Sequence, residues 1–307
     1  METILMTGGT GLVGRALTRL LVERGYKVII LTRRLPGGVI PDNVSYALWD
    51  INKQQIDVQA VQRADHIVHL AGAGVVAKKW TAAYKKEIAE SRTNSSRLII
   101  DTLKAHSNSI KAVISASAIG WYGADTGTEW FTETAPAKKY FLGDTCRLWE
   151  ESIEPVTALG IRLVKLRIGI VLSNDGGALV EFKKPLRFGI AAILGNGKQM
   201  ISWIHIEDLC RLFIYAIENE SVNGSYNAVA PAPVSNREFN IKLARTIKGK
   251  FYIPIYVPSF VLKILLGKRS LEVLKSTTVS CKKIKEAGFT FLYSSAESAL
   301  QALALKK

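Results

Sequence analysis

The stretch TILMTGGTGLVGRAL, residues 3–17, contains the pattern that decides the fold. Its start, residues 3–7, is a short apolar strand pattern, and apolar residues at helical spacing follow over 11–25. The turn between them has glycines in G-x-x-G-x-x-G and G-x-G-x-x-G spacing, and the residues that we assign to it are Gly8, Gly9, Thr10, Gly11, Leu12, Val13 and Gly14. Glycines let the backbone approach a phosphate, whose charge then lies against free N–H groups at the helix N-terminus. This order of strand, glycine turn and helix predicts a dinucleotide site.

The second predicted strand is KVIILT at 27–32, which ends in Thr32 and is followed directly by Arg33 and Arg34. A cofactor with a free ribose 2′-OH calls for an Asp or Glu near this point. A hydroxyl and two guanidinium groups suit a 2′-phosphate instead, because arginine binds phosphate bidentately and keeps its charge at physiological pH. We therefore expect NADP(H) rather than NAD(H). The alternative for Arg34 is a side chain that faces solvent.

Strand and helix patterns alternate through the first half of the chain. Further strand patterns occur at 44–48, 66–72, 111–117 and 161–172, and helix patterns cover 80–105 and 141–159. This alternation predicts an α/β fold with a doubly wound parallel Rossmann sheet. We expect a Rossmann domain over 1–171, to which the segment of about 200–232 returns, and an intertwined, smaller C-terminal α/β cap domain over 172–307. The apolar stretch 251–267 is expected to form cap core, since it is broken by Pro254 and Pro258, charged at Lys263 and too short to span a membrane; the alternative is an interfacial anchor.

The 307 residues have a formal net charge of +15 and three dispersed cysteines. Residues 237–307 hold 14 Lys or Arg and 4 Asp or Glu, so the positive charge is concentrated near the C-terminus. No zinc-finger spacing or RNP-like motif accompanies it. We expect a solvated basic surface and neither a nucleic-acid nor a membrane partner, while weak binding to an anionic surface stays open. The odd, separated cysteines favour reduced thiols and a cytoplasmic protein.

The chain resembles the extended short-chain dehydrogenases/reductases, which include nucleotide-sugar epimerases, and in particular their atypical branch of epimerase family proteins. The matching segments run from end to end: TGGTGLVG, HLAGAGV, KKWT, KKEIAESR, SASAIGWYG, FLGDTCRLWE, GIVLSNDGGAL, GNGKQMISWIHIEDL and NGSYNAVAPAPVSNREF. The resemblance implies a Rossmann sheet, a small C-terminal domain and NADP as ligand. It also implies cofactor contacts by Thr32, Arg33, Leu70, Ala71, Glu87, Arg92 and Ile170, to which we add Gly72, Ser115, Ala116 and Arg167.

Ordinary members of that group use a Tyr-x-x-x-Lys pair, in which the lysine holds the nicotinamide ribose and lowers the pKa of the tyrosine. Aligning the helix of YFLGDTCRLWEES (140–152) on Glu150 puts Leu142 at the tyrosine position and Cys146 at the lysine position. A shift of two residues gives Tyr140-x-x-x-Asp144, whose second member has the wrong charge. The sequence therefore predicts a site without the usual pair, and a phenol with a pKa of about 10 is a poor base without a cation nearby.

Three side chains are candidates for the missing role. Ser117 matches the hydroxyl that polarises a substrate carbonyl, and the alternative is a serine bonded to backbone. Tyr122, in GWYG, could enter the pocket from the loop after the fifth strand, although packing is the commoner fate of such an aromatic. Cys146 offers a thiol, but buried thiols are usually inert.

The segment GNGKQMISWIHIED is interpreted as a loop and strand edge at the substrate cleft, where Gln199, Trp203 and His205 would contact substrate. The four histidines form no H-x-x-x-H pair, so no metal site is expected. Two functions stay open: an NADP(H)-dependent oxidoreductase or epimerase-like enzyme with a nonstandard proton donor, and a non-catalytic NADP(H)-binding sensor or regulator. The substrate would be a small molecule whose identity the sequence does not give. A polyanion- or membrane-associated role of the basic C-terminal region could accompany either function.

Overall fold

A computed structural model describes residues 1–125 and 130–305 of the chain. The strands are β1 (Thr3–Thr7), β2 (Lys27–Thr32), β3 (Val44–Asp50), β4 (Gln55–Ile56), β5 (His66–His69), β6 (Ala112–Ala118), β7 (Arg162–Ile168), β8 (Ile170–Leu172), β9 (Ile190–Leu194), β10 (Met200–Ile201), β11 (Trp203–His205), β12 (Gly224–Ala228), β13 (Val234–Ser235) and β14 (Ile253–Val257). The helices are α1 (Leu12–Glu23), α2 (Val58–Gln62), α3 (Ala82–Ala105), α4 (Phe141–Ile153), α5 (Ala178–Leu186), α6 (Ile206–Glu218), α7 (Asn236–Lys248), α8 (Ser259–Leu266), α9 (Ser270–Leu274), α10 (Lys282–Glu286) and α11 (Ala296–Leu305). Short 3₁₀ turns cover Ile119–Trp121, Glu154–Leu159 and Gly267–Arg269.

Eight strands form one sheet in the order β12–β7–β6–β5–β1–β2–β3–β4. The strands from β12 to β3 run parallel, and only β4 pairs in the antiparallel sense, with β3. The strand order reverses between β1 and β5, and ligands of such sheets bind outside the carboxyl ends of the strands at this point. The predicted α/β fold with a doubly wound parallel sheet is confirmed.

The sheet is buried on both faces, and the side chains of β1 alternate between the two. Ile4 and Met6 of β1 belong to one buried cluster, with Leu17 of α1, whereas Leu5 belongs to the cluster on the other face. Successive side chains of a strand point to opposite faces, which is why a strand buried on both sides reads as a continuous apolar run. Each fully buried Leu or Ile contributes about 1.5–3 kcal/mol of transfer free energy.

The predicted strand at 161–172 is in fact two strands, broken at Gly169. β7 stays in the main sheet, whereas β8 pairs with β11 outside it. A Cβ at position 169 would lie 2.7 Å from the carbonyl oxygen of Ser202, so glycine is needed for this close approach. The chain therefore leaves the Rossmann sheet at one residue, and the small domain begins beside the carboxyl end of β7.

The chain crosses between the two domains more than once. β12 pairs with β7 at the end of the main sheet, and α6 packs against α1. Val279, Ile284 and Phe289, which lie within the range predicted for the cap, also belong to the core of the Rossmann sheet. The cap has a separate core, in which Phe239 and Leu243 of α7 pack with residues of α5, β9 and α11.

The expectation that 251–267 forms cap core is wrong. Four of the five residues of β14 are exposed, and Leu262 is the buried residue of α8. Pro254 and Pro258 divide the segment into a short strand and a short helix, and α8 packs mainly against the turn and the helix that follow it. Tyr252 packs against the cap core and Leu262 is buried, but most apolar side chains of this stretch are exposed. No helix in the described part of the chain is long and apolar enough to cross a membrane.

Candidate functional site

The glycine turn between β1 and α1 leaves no room for side chains at two positions. Gly8 has a φ of +69°, and a Cβ there would lie 2.8 Å from the carbonyl carbon of Leu70. A Cβ on Gly14 would lie 2.4 Å from the carbonyl oxygen of Gly8. These approaches place the first turn of α1 directly on the glycine turn and hold both against the loop that follows β5.

The N-terminus of α1 presents backbone amides that no side chain caps. Gly11 is the N-cap residue, and the first turn contains no acidic residue. The first-turn N–H groups of a helix, here those of Leu12 and Val13, have no intrahelical acceptor and lie at the positive end of the helix dipole. The exposed Thr10 completes the turn, and its carbonyl oxygen accepts a 2.8 Å hydrogen bond from Arg15. The arrangement fits the pyrophosphate of a nicotinamide dinucleotide.

Two cationic side chains stand at the carboxyl end of β2. The Thr32 hydroxyl donates to the carbonyl oxygen of Arg34 at 2.9 Å and so shapes the turn after the strand. Arg33 and Arg34 are exposed, and no ion pair occupies either guanidinium group among the described residues. Both lie one strand away from the glycine turn, where a dinucleotide site contacts the adenosine ribose.

A buried polar network that sequence reasoning missed holds the loop after β5. The Thr7 hydroxyl accepts hydrogen bonds from the amides of Leu70 and Ala71, both at 3.1 Å, and lies 2.8 Å from Nδ1 of His69. Nε2 of His69 lies 3.3 and 3.2 Å from the hydroxyls of Ser95 and Ser96. Burial, and secondarily the charge of Arg92, lowers the pKa of His69 to about 3, so the ring stays neutral. The sequence does contain a signal for this network: His69 lies in a predicted strand, and the adjacent Ser95 and Ser96 lie in a predicted helix.

Arg92 and Glu87, two residues of α3 that the resemblance assigns to the cofactor site, have different surroundings. The guanidinium of Arg92 donates to the carbonyl oxygens of Ala73 and Ile88, at 3.1 and 2.8 Å, and stacks 4.8 Å from the ring of Trp149. Gly72 has no side chain because a Cβ would lie 2.9 Å from this guanidinium. Glu87 is exposed and pairs with Lys78 at 3.4 Å, which does not support its predicted cofactor contact.

A cleft of about 340 Å³ lies between the carboxyl ends of β6 and β7 and the cap. Leu142 and Cys146 of α4 line it, and so do Ile170 and Gln199. Burial raises the pKa of the Cys146 thiol to about 12, so the thiol stays protonated at neutral pH. Its other lining residues are Val75, Val76, Arg92, Ala118, Ile119, Gly120, Thr145, Trp149, Ile168, Gly169, Ala178, Phe182, Leu194, Met200, Ile201, Ser202, Asn236, Glu272, Val273, Lys275 and Thr277.

The predicted roles of Ser117, Tyr122 and Arg167 need correction, because all three belong to a buried network outside the cleft lining. The Ser117 hydroxyl donates to Glu150 at 2.7 Å, and the same carboxylate accepts from Arg167 at 2.8 and 3.0 Å. The Tyr122 hydroxyl donates to Asn227 at 2.6 Å and accepts from Arg167 at 3.0 Å. Each of these groups is satisfied inside the protein, so the network stabilises the junction of α4, β6 and β7.

Strand alternation explains the correction for β6. Ala118, next to Ser117, is the residue of this strand that faces the cleft, and it has no hydroxyl. Ser115 and Ala116 lie deeper in the strand and are buried, and the Ser115 hydroxyl donates to the carbonyl oxygen of Ala116 at 3.1 Å. The cofactor contacts of Ser115 and Ala116 stay predictions.

Of the three predicted substrate contacts, the structure brings only Gln199 to the cleft. Its amide donates to the carbonyl oxygens of Leu194 and Val273, at 2.9 and 3.2 Å. Trp203 is fully buried, and its indole donates to the carbonyl oxygen of Ala232 at 2.9 Å. His205 caps α6 by accepting the amide of Glu207 at 3.1 Å. Among the described residues, no three His, Cys, Asp or Glu side chains form a group that could hold a metal.

Lys275 brings a positive charge into the cleft, and sequence reasoning missed it. Its Nζ lies 2.6 Å from a carboxylate oxygen of Glu272 and donates to the phenol oxygen of Tyr140 at 2.9 Å. The Tyr140 hydroxyl donates in turn to the carbonyl oxygen of Gly120 at 2.7 Å. Burial, and then the charge of Glu272, raises the pKa of Tyr140 above its ordinary value. Tyr140 and Lys275 are 135 residues apart, so no local spacing could have connected them.

The comparisons with known proteins agree with this geometry. Residues 4–143 match the NAD dependent epimerase/dehydratase family, and residues 257–303 match a domain of unknown function, DUF1731. Epimerase family protein SAR0825 of Staphylococcus aureus (strain MRSA252) is 36% identical over 309 residues, covering 100% of both chains. Epimerase family protein YfhF of Bacillus subtilis (strain 168) is 34% identical over 300 residues, covering 98% of this chain and 97% of its own.

A solved structure extends the likeness to the whole fold. The crystal structure of human epimerase family protein SDR39U1 (isoform2) with NADPH superposes with a TM-score of 0.87 at 26% identity, over 100% of both chains. The glycine turn, the bare N-terminus of α1 and the cleft at the carboxyl edge of the sheet occur together here in one chain. The protein therefore belongs to the epimerase family proteins, in agreement with its resemblance to the extended short-chain dehydrogenases/reductases.

Proposed function

We propose that the protein is an NADP(H)-dependent oxidoreductase that interconverts a small, predominantly apolar carbonyl compound and its alcohol. The observation that carries this proposal is the group formed by Lys275, Glu272 and Tyr140, which places an ammonium ion in the cleft. The same cleft is lined by Leu142 and Cys146, which the sequence pattern of α4 places at the positions of the usual catalytic pair. A cation supplied by the cap thus lies beside the place where a cation on α4 is expected.

The cofactor half of the proposal rests on the glycine turn and the two arginines. NADPH supplies a hydride when it is bound. The amides at the N-terminus of α1 would hold its pyrophosphate, because Gly8 and Gly14 admit backbone contact and no side chain competes there. Arg33, with Arg34 beside it, would bind the 2′-phosphate. NADPH in the crystal structure of the human relative supports this choice over NADH.

Lys275 is suited to supply the proton that a carbonyl oxygen takes up during reduction. Its ammonium is held by two acceptors, the Glu272 carboxylate and the Tyr140 phenol, so it has one preferred position at the cleft. In the reduction direction the carbonyl carbon gains the hydride, the carbonyl oxygen gains a proton from Lys275, and the amine is reprotonated from solvent. Proton transfer by a positioned group typically contributes about 10²–10⁴-fold in rate. Tyr140 acts as a positioning residue in this scheme.

The lining of the cleft favours an apolar substrate over a nucleotide sugar. Aliphatic and aromatic side chains dominate it, with Trp149 and Phe182 the largest. Its charged residues are Arg92, Glu272 and Lys275, and Arg92 already donates to two backbone carbonyl groups. A nucleotide sugar has a diphosphate and many hydroxyl groups, which require several convergent polar partners. An aldehyde or ketone needs one donor at its oxygen.

A non-catalytic sensor of NADP(H) is the second candidate. The observation that favours it is the absence of the ordinary catalytic groups from the cleft: Leu142 has no proton to give, the Cys146 thiol is protonated, and Ala118 has no hydroxyl. A sensor would bind the cofactor and exchange no hydride with any ligand.

The direct test measures binding and turnover on the same protein. Purified protein is titrated calorimetrically with NADPH and NADH and then incubated with NADPH and a panel of aliphatic and aromatic aldehydes and ketones. We expect tighter binding of NADPH and its oxidation in a one-to-one ratio with the alcohol formed. Tight NADPH binding without oxidation across the panel would replace this proposal with the sensor. Isomerisation of a UDP-sugar without net NADPH loss would replace it with an epimerase.

A further inference from the structure

The cap has a surface on which exposed apolar and basic side chains occur together. We define the apolar–basic surface as residues 242–271 together with Phe188. Residues 251–271 alone hold eight of the twenty exposed large apolar side chains of the described residues. Phe251 is 86% exposed, Ile264 78% and Phe188 83%. Single exposed apolar residues are normal on a protein surface, but a concentration of them in one short segment marks an interaction site.

The charge of this segment is of one sign. Residues 239–271 contain no Asp or Glu and seven basic residues, which are Lys242, Arg245, Lys248, Lys250, Lys263, Lys268 and Arg269. The acidic residues that flank it, Glu238 and Glu272, already form ion pairs with Lys242 and Lys275. The apolar side chains therefore lie within a positive field that no carboxylate of the segment neutralises.

Backbone contacts join the parts of the surface. The amide of Ile253 donates to the carbonyl oxygen of Gly189 at 2.8 Å, which places the strand that follows Phe251 beside the residue that follows Phe188. On α8, the residues Phe260, Lys263 and Ile264 follow the i, i+3, i+4 spacing and share one exposed face. Apolar and basic side chains thus alternate on the same helix.

We propose that the apolar–basic surface lies on an anionic lipid bilayer and anchors the protein there peripherally. Apolar side chains can enter the boundary between headgroups and acyl chains while lysines and arginines contact lipid phosphates, and the two contributions add. The eight residues of α8 span about 12 Å, so this helix can lie in the interface and cannot cross it.

Two observations weigh against a second copy of the chain as the occupant. Face-to-face association would bring two strongly basic segments together, and like charges in contact oppose binding. Pairing through the free edge of β14 is blocked by Pro254. Successive N–H groups of a strand point to opposite sides, and that of Ile253 points toward β9. The nitrogen of residue 254 therefore points to the free edge, where a proline has no N–H to donate.

The experiment is co-sedimentation of the full chain with vesicles at about 150 mM salt, where exposed charges are screened beyond roughly 8 Å. One set of vesicles is phosphatidylcholine, and the other contains phosphatidylglycerol in addition. The variants Phe260→Ser/Ile264→Ser and Lys263→Glu/Lys268→Glu change exposed side chains only. Their matched controls, Leu292→Ser/Leu305→Ser and Lys53→Glu/Lys104→Glu, make the same changes elsewhere on the surface.

We expect the wild type to sediment with the anionic vesicles and not with the neutral ones. Each surface variant should lower the partition coefficient at least about tenfold, and the controls should leave it unchanged. Absence of sedimentation, or equal sedimentation of surface variants and controls, would overturn the proposal. So would a dimer in analytical ultracentrifugation that Phe260→Ser/Ile264→Ser dissociates, or retention on duplex DNA with no retention on vesicles.

Discussion

The sequence pattern of α4 places Cys146 at the position predicted for the usual lysine, but its thiol is not equipped for that role. Burial holds its pKa at about 12, and a protonated thiol cannot replace a charged contact to the ribose. We predict that Cys146→Ala leaves NADPH affinity nearly unchanged and lowers the free energy of unfolding by about 1–2 kcal/mol. Fluorescence titration and urea denaturation measure the two quantities, with the buried Cys210→Ala as control. Loss of turnover with NADPH still bound would show instead that the thiol is the acid.

We expect Arg33 to decide the choice between the two nicotinamide cofactors. A charge-assisted contact to the 2′-phosphate of about 1.5–3 kcal/mol corresponds to roughly 10- to 150-fold in affinity, which NADH cannot gain. Arg33→Ala should therefore weaken NADPH binding by that factor and leave NADH binding unchanged. Calorimetry with both cofactors checks this, and the exposed Arg63→Ala is the control. Equal affinities in the wild type would remove the basis for an NADP(H) enzyme.

His69 should make the stability of the protein depend on pH. Burial lowers its pKa from 6.5 to about 3 in the folded protein, so the unfolded chain binds more protons between these values. Its contribution is fully present above pH 6.5 and is lost as the pH falls toward 3, at about 1.4 kcal/mol per pH unit. Urea denaturation at several pH values should show this slope in the wild type and a smaller one in His69→Gln. An unchanged slope in that variant, relative to the exposed His106→Gln, would contradict the assignment.

At the scale of the elements, the contact between α1 and the glycine turn can be tested at Gly14. An added methyl would lie 2.4 Å from the carbonyl oxygen of Gly8 and 2.5 Å from the Cα of Gly9, and neither backbone atom can move aside cheaply. Alanine gains roughly 1 kcal/mol over glycine in helix propensity, but we expect the steric clash to outweigh this gain. We predict that Gly14→Ala lowers the free energy of unfolding by about 1–3 kcal/mol and weakens NADPH binding. Gly37→Ala is the control, because nothing lies within 4 Å of its Cβ position. A Gly14→Ala variant as stable as the wild type would show that the helix can shift.

The sequence predicted most of the central strands, because a strand buried on both faces must be an unbroken apolar run. It failed where a distant residue decides the structure. Gly169 divides a continuous apolar pattern because the carbonyl group of Ser202 approaches it, and no local signal shows that approach. The stretch 251–267 is apolar enough for a core, yet apolar content does not reveal which surface covers a segment.

The residues of the candidate site also fall into two groups: those that local spacing predicts and those whose position depends on distant residues. The glycine turn and the arginines after β2 follow from local spacing, so sequence reasoning found them. Ser117 and Tyr122 were misassigned because their partners, Glu150 and Asn227, come from other elements and draw both hydroxyls into the core. Lys275 was missed for the same reason, since it reaches Tyr140 from the far end of the chain.

For the molecule as a whole, the cleft is shared by two domains with separate tasks. The Rossmann sheet provides the surfaces that fit the cofactor, whereas Glu272 and Lys275 come from the C-terminal region, between α8 and α10. The oxidoreductase that we propose therefore needs both domains in contact. In the proposed mechanism, the ammonium of Lys275 takes the place of the lysine that the Tyr-x-x-x-Lys pattern would put on α4.

The measurement that tests this account most directly is NADPH oxidation by Lys275→Met, with a carbonyl compound that the wild type reduces. Lys275→Arg keeps a positive charge at the same place, and Lys139→Met removes an exposed lysine that is adjacent to Tyr140 in the sequence. We predict that Lys275→Met binds NADPH with wild-type affinity and loses about 10²–10⁴-fold in turnover, while Lys275→Arg recovers part of it and Lys139→Met is unaffected. Turnover by Lys275→Met at the wild-type rate would show that the proton comes from another group and would contradict the account.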